Sequence, residues 1–227
     1  MSDSKKTLAV AIDGPSGAGK STISRILARE LGFVYVDTGA LYRSVGWYML
    51  SKGIAPGEAQ AVTSALADLC VELCYVGGEQ VVLVNGESVG DKIRTPEVSM
   101  AASAVSAIPA VRQFLLDTQR RIAARENVIM DGRDIGTVVL PDAGLKIFLT
   151  ASAEDRAGRR YAELKEKGIA TTFDEVLADM KKRDYDDSHR ATAPLKQAED
   201  ARLVDTTGNT LEQSVAVLKS IVEELIK

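Results

Sequence analysis

The sequence predicts an α/β fold with a central parallel sheet, on three observations. A short, wholly apolar strand runs straight into a glycine-rich loop and a helix. Strand and helix patterns then alternate through the opening of the chain. A separate block of short alternating runs, divided by turn dipeptides, interrupts that alternation. Composition agrees: in 227 residues, 45% are apolar and 26% charged, the balance of one globular domain.

Leu8-Ala-Val-Ala-Ile12 has the unbroken apolar character of a strand buried on both faces. Ile23, Ile26, Leu27 and Leu31 then recur at helical spacing, and Gly32 supplies a stop. Phe33 to Val36 reads as a second strand, followed by a helix through Leu41, Val45, Tyr48 and Met49 and another over Glu58 to Leu69. From Val71 to Ile93 the pattern becomes antiparallel. Val71–Tyr75, Gln80–Val84 and the run from Glu87 are separated by Gly77-Gly78 and Asn85-Gly86, both hairpin dipeptides. Thr95-Pro96 is an N-cap with proline at the first helical position, and a further helix runs from Pro109 to about Arg125. Val128–Met130, ending in Asp131, and Leu145–Leu149 are core strands. Helices follow over Ala153–Lys167 and Thr172–Asp187, the latter opened by the capping box of Thr172 and Glu175. Leu203–Asp205 is a last short strand and Leu211–Ile226 a closing amphipathic helix.

The net charge of −4 argues against a general binder of nucleic acid or membrane surface, so an anionic substrate needs arginines gathered locally. No segment approaches the ~18 apolar residues of a membrane span, and the chain is expected to be soluble and cytoplasmic. Cys70 and Cys74 read as free thiols; the one histidine, His189, is too distant in sequence to complete a zinc set.

Gly14-Pro-Ser-Gly-Ala-Gly-Lys-Ser21 matches G-x4-GK-[ST] between a strand and a helix. Glycines there let successive N–H groups turn inward as an anion nest, and the helix start adds its positive dipole end. The pattern assigns Gly14, Pro15, Ser16, Gly17, Ala18, Gly19, Lys20, Ser21 and Thr22 to the phosphates of a nucleotide, which the resemblance given below implies is ATP. Lys20 reaches the β- and γ-phosphates and Ser21 ligates Mg²⁺. Asp131, at a strand end, could orient that metal through water, or could be a turn aspartate beside Gly132. The loop names phosphate binding without naming an acceptor. No N-K-x-D motif supports a GTPase.

The acceptor side rests on a resemblance. Asp37-Thr-Gly-Ala-Leu-Tyr-Arg43, Ile93-Arg-Thr-Pro-Glu97, Asp131-Gly-Arg-Asp134 with Gly136-Thr137, and Arg183-x3-Asp187-x2-Arg190 with Ala193-Pro-Leu195 together resemble the bacterial cytidylate (CMP) kinase family, from about Val10 to Asp205. The resemblance implies a P-loop kinase with a nucleotide-binding insert (about 39–105, hairpins about 71–93) and a helical lid (about 156–194) in a single domain, 1–227. It implies transfer of the ATP γ-phosphoryl group to CMP or dCMP with Mg²⁺. Thr38, Arg43 and Arg133 are then expected at the acceptor phosphate, Ser103, Arg112 and Asp134 at the cytosine, and Arg183 and Asp187 at the ribose, with Arg190 closing over the site.

As plain residues, Arg183, Asp187 and Arg190 fall at i, i+4 and i+7, one face of a helix, where a solvated ion pair is the bland reading. Among Arg156, Arg159 and Arg160, the expectation is that one, Arg159 by choice, faces the transferring phosphoryl group. Catalytic work is therefore expected of Lys20, Arg133, Arg159, Arg183 and Arg190. A kinase for UMP or a shikimate-like alcohol, and a P-loop binding protein without transfer, are the competing readings. A monomer is expected, since no long exposed apolar helix face stands out.

Overall fold

The computed structural model describes residues 7–77 and 79–226. Residues 1–6, with the start of the N-terminal segment, and Gly78 of the Gly77-Gly78 turn lie outside the described residues. The chain runs β1 (Ala9–Asp13), α1 (Lys20–Leu31), β2 (Val34–Asp37), α2 (Thr38–Ser51), α3 (Ala59–Ala65), β3 (Val71–Val76), β4 (Glu79–Val84), β5 (Glu87–Ser88), α4 (Pro96–Ser106), α5 (Pro109–Ala123), β6 (Val128–Gly132), β7 (Leu145–Thr150), α6 (Ala153–Glu166), α7 (Phe173–His189), β8 (Arg202–Asp205) and α8 (Leu211–Ile226). A five-stranded sheet has the order β2-β6-β1-β7-β8, and a three-stranded sheet the order β3-β4-β5.

The chain divides into two compact units, one holding Val34–Val128 and the other Leu8–Phe33 with Ile129–Lys227. In the second unit β1 and β7 pair in parallel, Val10 opposite Leu145 through Asp13 opposite Phe148. β7 and β8 continue in parallel, Ile147 opposite Arg202. Val10, Ala11, Ile12, Ile129, Met130, Ile147 and Leu149 are closed from solvent, as strands covered on both faces require. Ile23 and Leu27 of α1 and Leu218 and Val222 of α8 are buried as well, and the two helices are in contact. α1 ends on Gly32 in the left-handed region, its N–H capping Ala28 O.

In the first unit, β3 and β4 form the expected hairpin, Val71 opposite Val84 through Val76 opposite Glu79. Its apolar face joins a cluster built on Leu41, Val45, Met49, Val105, Val111 and Leu115. α2 and α4 cross closely because their contact residues are small: a Cβ on Gly46 would sit 2.9 Å from the Ala102 nitrogen. Both sequence caps form. The Thr95 side chain accepts from Val98 N with Pro96 at the helix start, and Thr172 and Glu175 close a reciprocal capping box.

Two readings need correction, and one element was not read. The helix expected over Glu58–Leu69 is α-helical only over Ala59–Ala65 and tightens into a 3-10 turn over Leu66–Asp68. A wide π-helical turn, Ile135–Val139, follows β6 and was not anticipated. Arg190 is not on a helical face with Arg183 and Asp187. α7 stops at His189, and Arg190 is an extended C-cap. The chain doubles back there through Ala193 at φ 48, and Leu195 N donates to Asp187 O at 2.8 Å, closing an otherwise orphaned helix carbonyl.

Candidate active site

Within the second unit the residues between β1 and α1 form a tight cradle. Gly14, Gly17 and Gly19 all have positive φ, which aims consecutive N–H groups to one side. α1 begins at Lys20 with no side-chain cap and no acidic residue in its first turn. The dipole end and the orphan N–H groups of a helix start are thus left for an anion. Lys20 is buried, its Nζ 2.7 Å from Pro15 O. Burial pushes its ammonium pKa well below the usual value, Arg133 pushes the same way, and Asp131 and Asp13 oppose both.

Ser21 Oγ donates to Asp131 Oδ2 at 2.8 Å, so the two residues expected at the metal are in direct contact. Asp131 is buried at the end of β6. A hydroxyl and a carboxylate are hard oxygen donors, suited to Mg²⁺ that keeps waters and takes phosphate oxygens. Among the described residues no group of three or more His, Cys, Asp or Glu could hold a metal.

The arginines are sorted by packing. Arg156 is buried, donates to Ser16 O at 3.0 Å and grips Asp184 through two bonds of 3.1 and 2.7 Å. Arg159 Nη2 donates to Thr206 O at 3.2 Å, and its Nη1 would lie 3.8 Å from a Cβ on Gly19. Arg160 instead faces solvent and pairs with Glu163. Arg156 and Arg159 therefore flank the phosphate loop and Arg160 does not.

Arg133 Nε donates to Asp187 Oδ2 at 2.8 Å, with both side chains largely covered. Burial alone would raise the Asp187 pKa, but Arg133, Arg183 and Arg190 outweigh it and hold the carboxyl below its ordinary value. Arg190 reaches Asp134, Nη2 to Oδ1 at 3.7 Å. Arg133, Asp134, Arg183, Asp187 and Arg190 thus form one charge network, although Asp187 was expected at a ribose and Arg133 at a phosphate. His189 lies outside it, stacked on exposed Tyr185.

Within the first unit, Thr38 opens α2 and is buried. Asp37 caps that helix, Oδ1 accepting from Ala40 N at 2.9 Å, and its Oδ2 takes Arg43 Nη2 at 2.9 Å. Arg112 donates to Ser106 O at 3.2 Å and lies over the Tyr42 ring. Ser106 Oγ in turn donates to Ser103 O, which gathers Ser103, Arg112 and Tyr42 at one place.

Sequence reasoning passed over Asp13. Its carboxylate accepts from Ile135 N and Gly136 N, both at 2.7 Å, across more than a hundred residues. The available signal was an acidic residue closing an apolar strand. Burial, with Asp134 adding to it, raises its pKa to about 6 against the opposing backbone bonds and Lys20. A raised carboxyl pKa means the folded chain binds a proton more readily than the unfolded one. Ionisation of Asp13 therefore costs stability, and the cost sets in as pH rises from about 4 to about 6, reaching roughly 3 kcal/mol. Urea unfolding of the native chain and Asp13→Asn at pH 4 to 7 checks this. The stability of the native chain relative to the variant is expected to fall by about that amount. A flat difference contradicts it.

Three comparisons bear on the site. A family model described as Cytidylate kinase matches residues 10–225. The chain is 49% identical over 222 residues to a cytidylate kinase of Caldicellulosiruptor saccharolyticus, covering 98% of this chain and 97% of that protein. It is 48% identical over 220 residues to a cytidylate kinase of Geobacter sulfurreducens, covering 97% and 94%. In fold alone it is similar to a solved, uncharacterized protein of Eubacterium ventriosum, at TM-score 0.51 and 10% identity over 96% of this chain and 99% of that one.

Proposed function

The chain belongs to the cytidylate kinase family and phosphorylates CMP or dCMP in an ATP-dependent reaction, and from that premise we propose which of its residues perform each part of the transfer. The Gly14–Ser21 cradle holds the donor phosphates. Lys20, deprived of solvent, regains its full charge against the β- and γ-phosphates, since an approaching anion reverses the effect of burial. Ser21 directly, and Asp131 through water, would hold Mg²⁺ together with the nucleotide. That ion, when bound, neutralises charge on the phosphate oxygens.

Thr38, Arg43 and Arg133 take the acceptor phosphate, and Asp37 keeps Arg43 in a single rotamer for it. Asp134, Arg112 and Ser103 read cytosine, whose edge carries an exocyclic amine and a ring acceptor and so needs an acceptor and a donor facing it. Asp187 and Arg183 hold the ribose, while Asp187 also fixes the Arg133 fork. Arg159, Arg183 and Arg190 neutralise charge as the phosphoryl group crosses. Closure of the helical segment over about 156–194 excludes water, because hydrolysis of ATP is the competing reaction. No covalent intermediate is needed. The insert over about 39–105 carries acceptor recognition, and the chain works as a monomer in the cytoplasm with neither nucleic acid nor membrane as partner. No single helix among the described residues is long and apolar enough to cross a membrane.

The observation that carries this reading is the Ser21–Asp131 contact beneath a loop whose helix start has no acidic residue. It is tested at the acceptor end by Asp134→Ala. The variant should lose kcat/KM for CMP by about 100-fold while KM for ATP stays unchanged and UMP is affected far less, since a site built around a buried polar group discriminates strongly. Equal losses for CMP and UMP would remove Asp134 from base recognition.

A further inference from the structure

β2 lies at the edge of the five-stranded sheet, where a strand leaves backbone donors and acceptors without a neighbouring strand. Side chains from the small sheet meet that edge. Tyr75 of β3 and Gln80 of β4 are directly opposed in register, and opposed residues of an antiparallel pair project from the same face. Tyr75 Oη donates to Tyr35 O at 3.2 Å. Gln80 Oε1 accepts from Asp37 N at 2.8 Å and its Nε2 is 3.4 Å from Asp37 O. Residues 35 and 37 are alternate positions of one strand and present their backbone groups to the same edge. The Gln80 amide, with one acceptor and one donor, thus stands where the peptide group of a further strand would stand.

The residue so gripped is the N-cap of α2. Asp37 holds Ala40 N with one carboxylate oxygen and Arg43 with the other. Thr38 is the next residue along. Any shift of the Asp37 backbone therefore moves the start of α2 and the Arg43 guanidinium together.

We propose that Gln80, assisted by Tyr75, is a positioning residue for the acceptor phosphate: it fixes the Asp37 backbone and, through it, Thr38 and Arg43. This rests on the acceptor role given above to Thr38 and Arg43. It assigns the antiparallel sheet a task beyond covering the apolar cluster. Gln80 acts through Asp37, not on the substrate.

The test is steady-state kinetics of the full chain with CMP and ATP varied separately, beside amide hydrogen exchange of the ligand-free protein. Gln80→Ala removes two hydrogen bonds, each contributing about a two- to twelvefold factor. The KM for CMP should rise about 5- to 20-fold, with KM for ATP and kcat at saturating CMP within twofold of the native chain. Exchange at the Asp37 amide should quicken. Gln80→Glu keeps an acceptor for Asp37 N but sets its second oxygen against Asp37 O, so it should fail to rescue. Tyr75→Phe, which keeps the ring, should raise KM for CMP about two- to threefold, and it decides the matter if Gln80→Ala does not fold. An unchanged KM for CMP in a Gln80→Ala chain overturns the proposal while leaving the kinase reading intact. Equal losses in kcat and in KM for both substrates also overturn it, as the mark of a general structural role. A native chain that does not use CMP would remove both readings at once.

Discussion

Lys20→Ala is expected to lower kcat for CMP phosphorylation by at least two orders of magnitude with the fold retained. The reason lies in where the ammonium sits. Lys20 is buried at the first position of α1, its Nζ held by Pro15 O at 2.7 Å. In such a site water cannot replace the lost charge, and a fixed donor aimed at developing negative charge contributes about 100- to 1000-fold in rate. Burial and Arg133 already depress its pKa, so the site has more to gain from a phosphate than from any protein partner. Lys20→Met keeps the aliphatic stem and separates charge from packing. Both variants should melt cooperatively and both should be nearly inactive; turnover within tenfold of the native chain in either would remove Lys20 from the chemistry.

Gly14→Ala is expected to be the most damaging single-methyl change in the phosphate loop. Gly14 has φ 150, and a Cβ there would stand 1.9 Å from Leu149 O. That oxygen belongs to the backbone of a closed strand and cannot rotate away. Relief requires β1 and β7 to part or the loop to rebuild, at a cost of about 3 kcal/mol or more. Gly32→Ala serves as the comparison, since its φ of 68 is also unfavourable but nothing lies within 4 Å of an added Cβ. Urea unfolding should show the larger loss at Gly14, with ATP binding abolished there and kept in the Gly32 variant. Similar losses at both positions would show that the contact with Leu149 does not matter.

Much of the fold was legible because its signals are local. The apolar runs that became β1 and β7, the Thr95-Pro96 start of α4, the Thr172–Glu175 capping box and the Asn85-Gly86 turn each act within a few residues. Gly14–Ser21 was legible for the same reason. Contacts across long stretches of sequence were not. The bonds from Ile135 and Gly136 to Asp13 span over a hundred residues, and nothing beside Asp13 announces them. Gln80 reads as an ordinary polar residue after a turn until β2 is brought to it. Helical spacing placed Arg190 with Arg183 and Asp187, but the return of Leu195 N to Asp187 O ends α7 first. Arg190 nevertheless reaches Asp134 from its position beyond the helix. Spacing also left Arg156, Arg159 and Arg160 equivalent, and only the packing of α6 beside Ser16 and Thr206 separates them.

A phosphate cradle common to many chemistries serves here to transfer a phosphoryl group to a cytosine nucleotide. ADP formation from ATP and Mg²⁺, measured with CMP, dCMP, UMP, AMP and GMP in turn against a blank without acceptor, tests it most directly. The residues at Ser103, Arg112 and Asp134 predict rapid ADP formation with CMP or dCMP, weak formation with UMP, and a rate at the blank level for the purines. ADP formation that no monophosphate accelerates, or that UMP accelerates more than CMP, would contradict it.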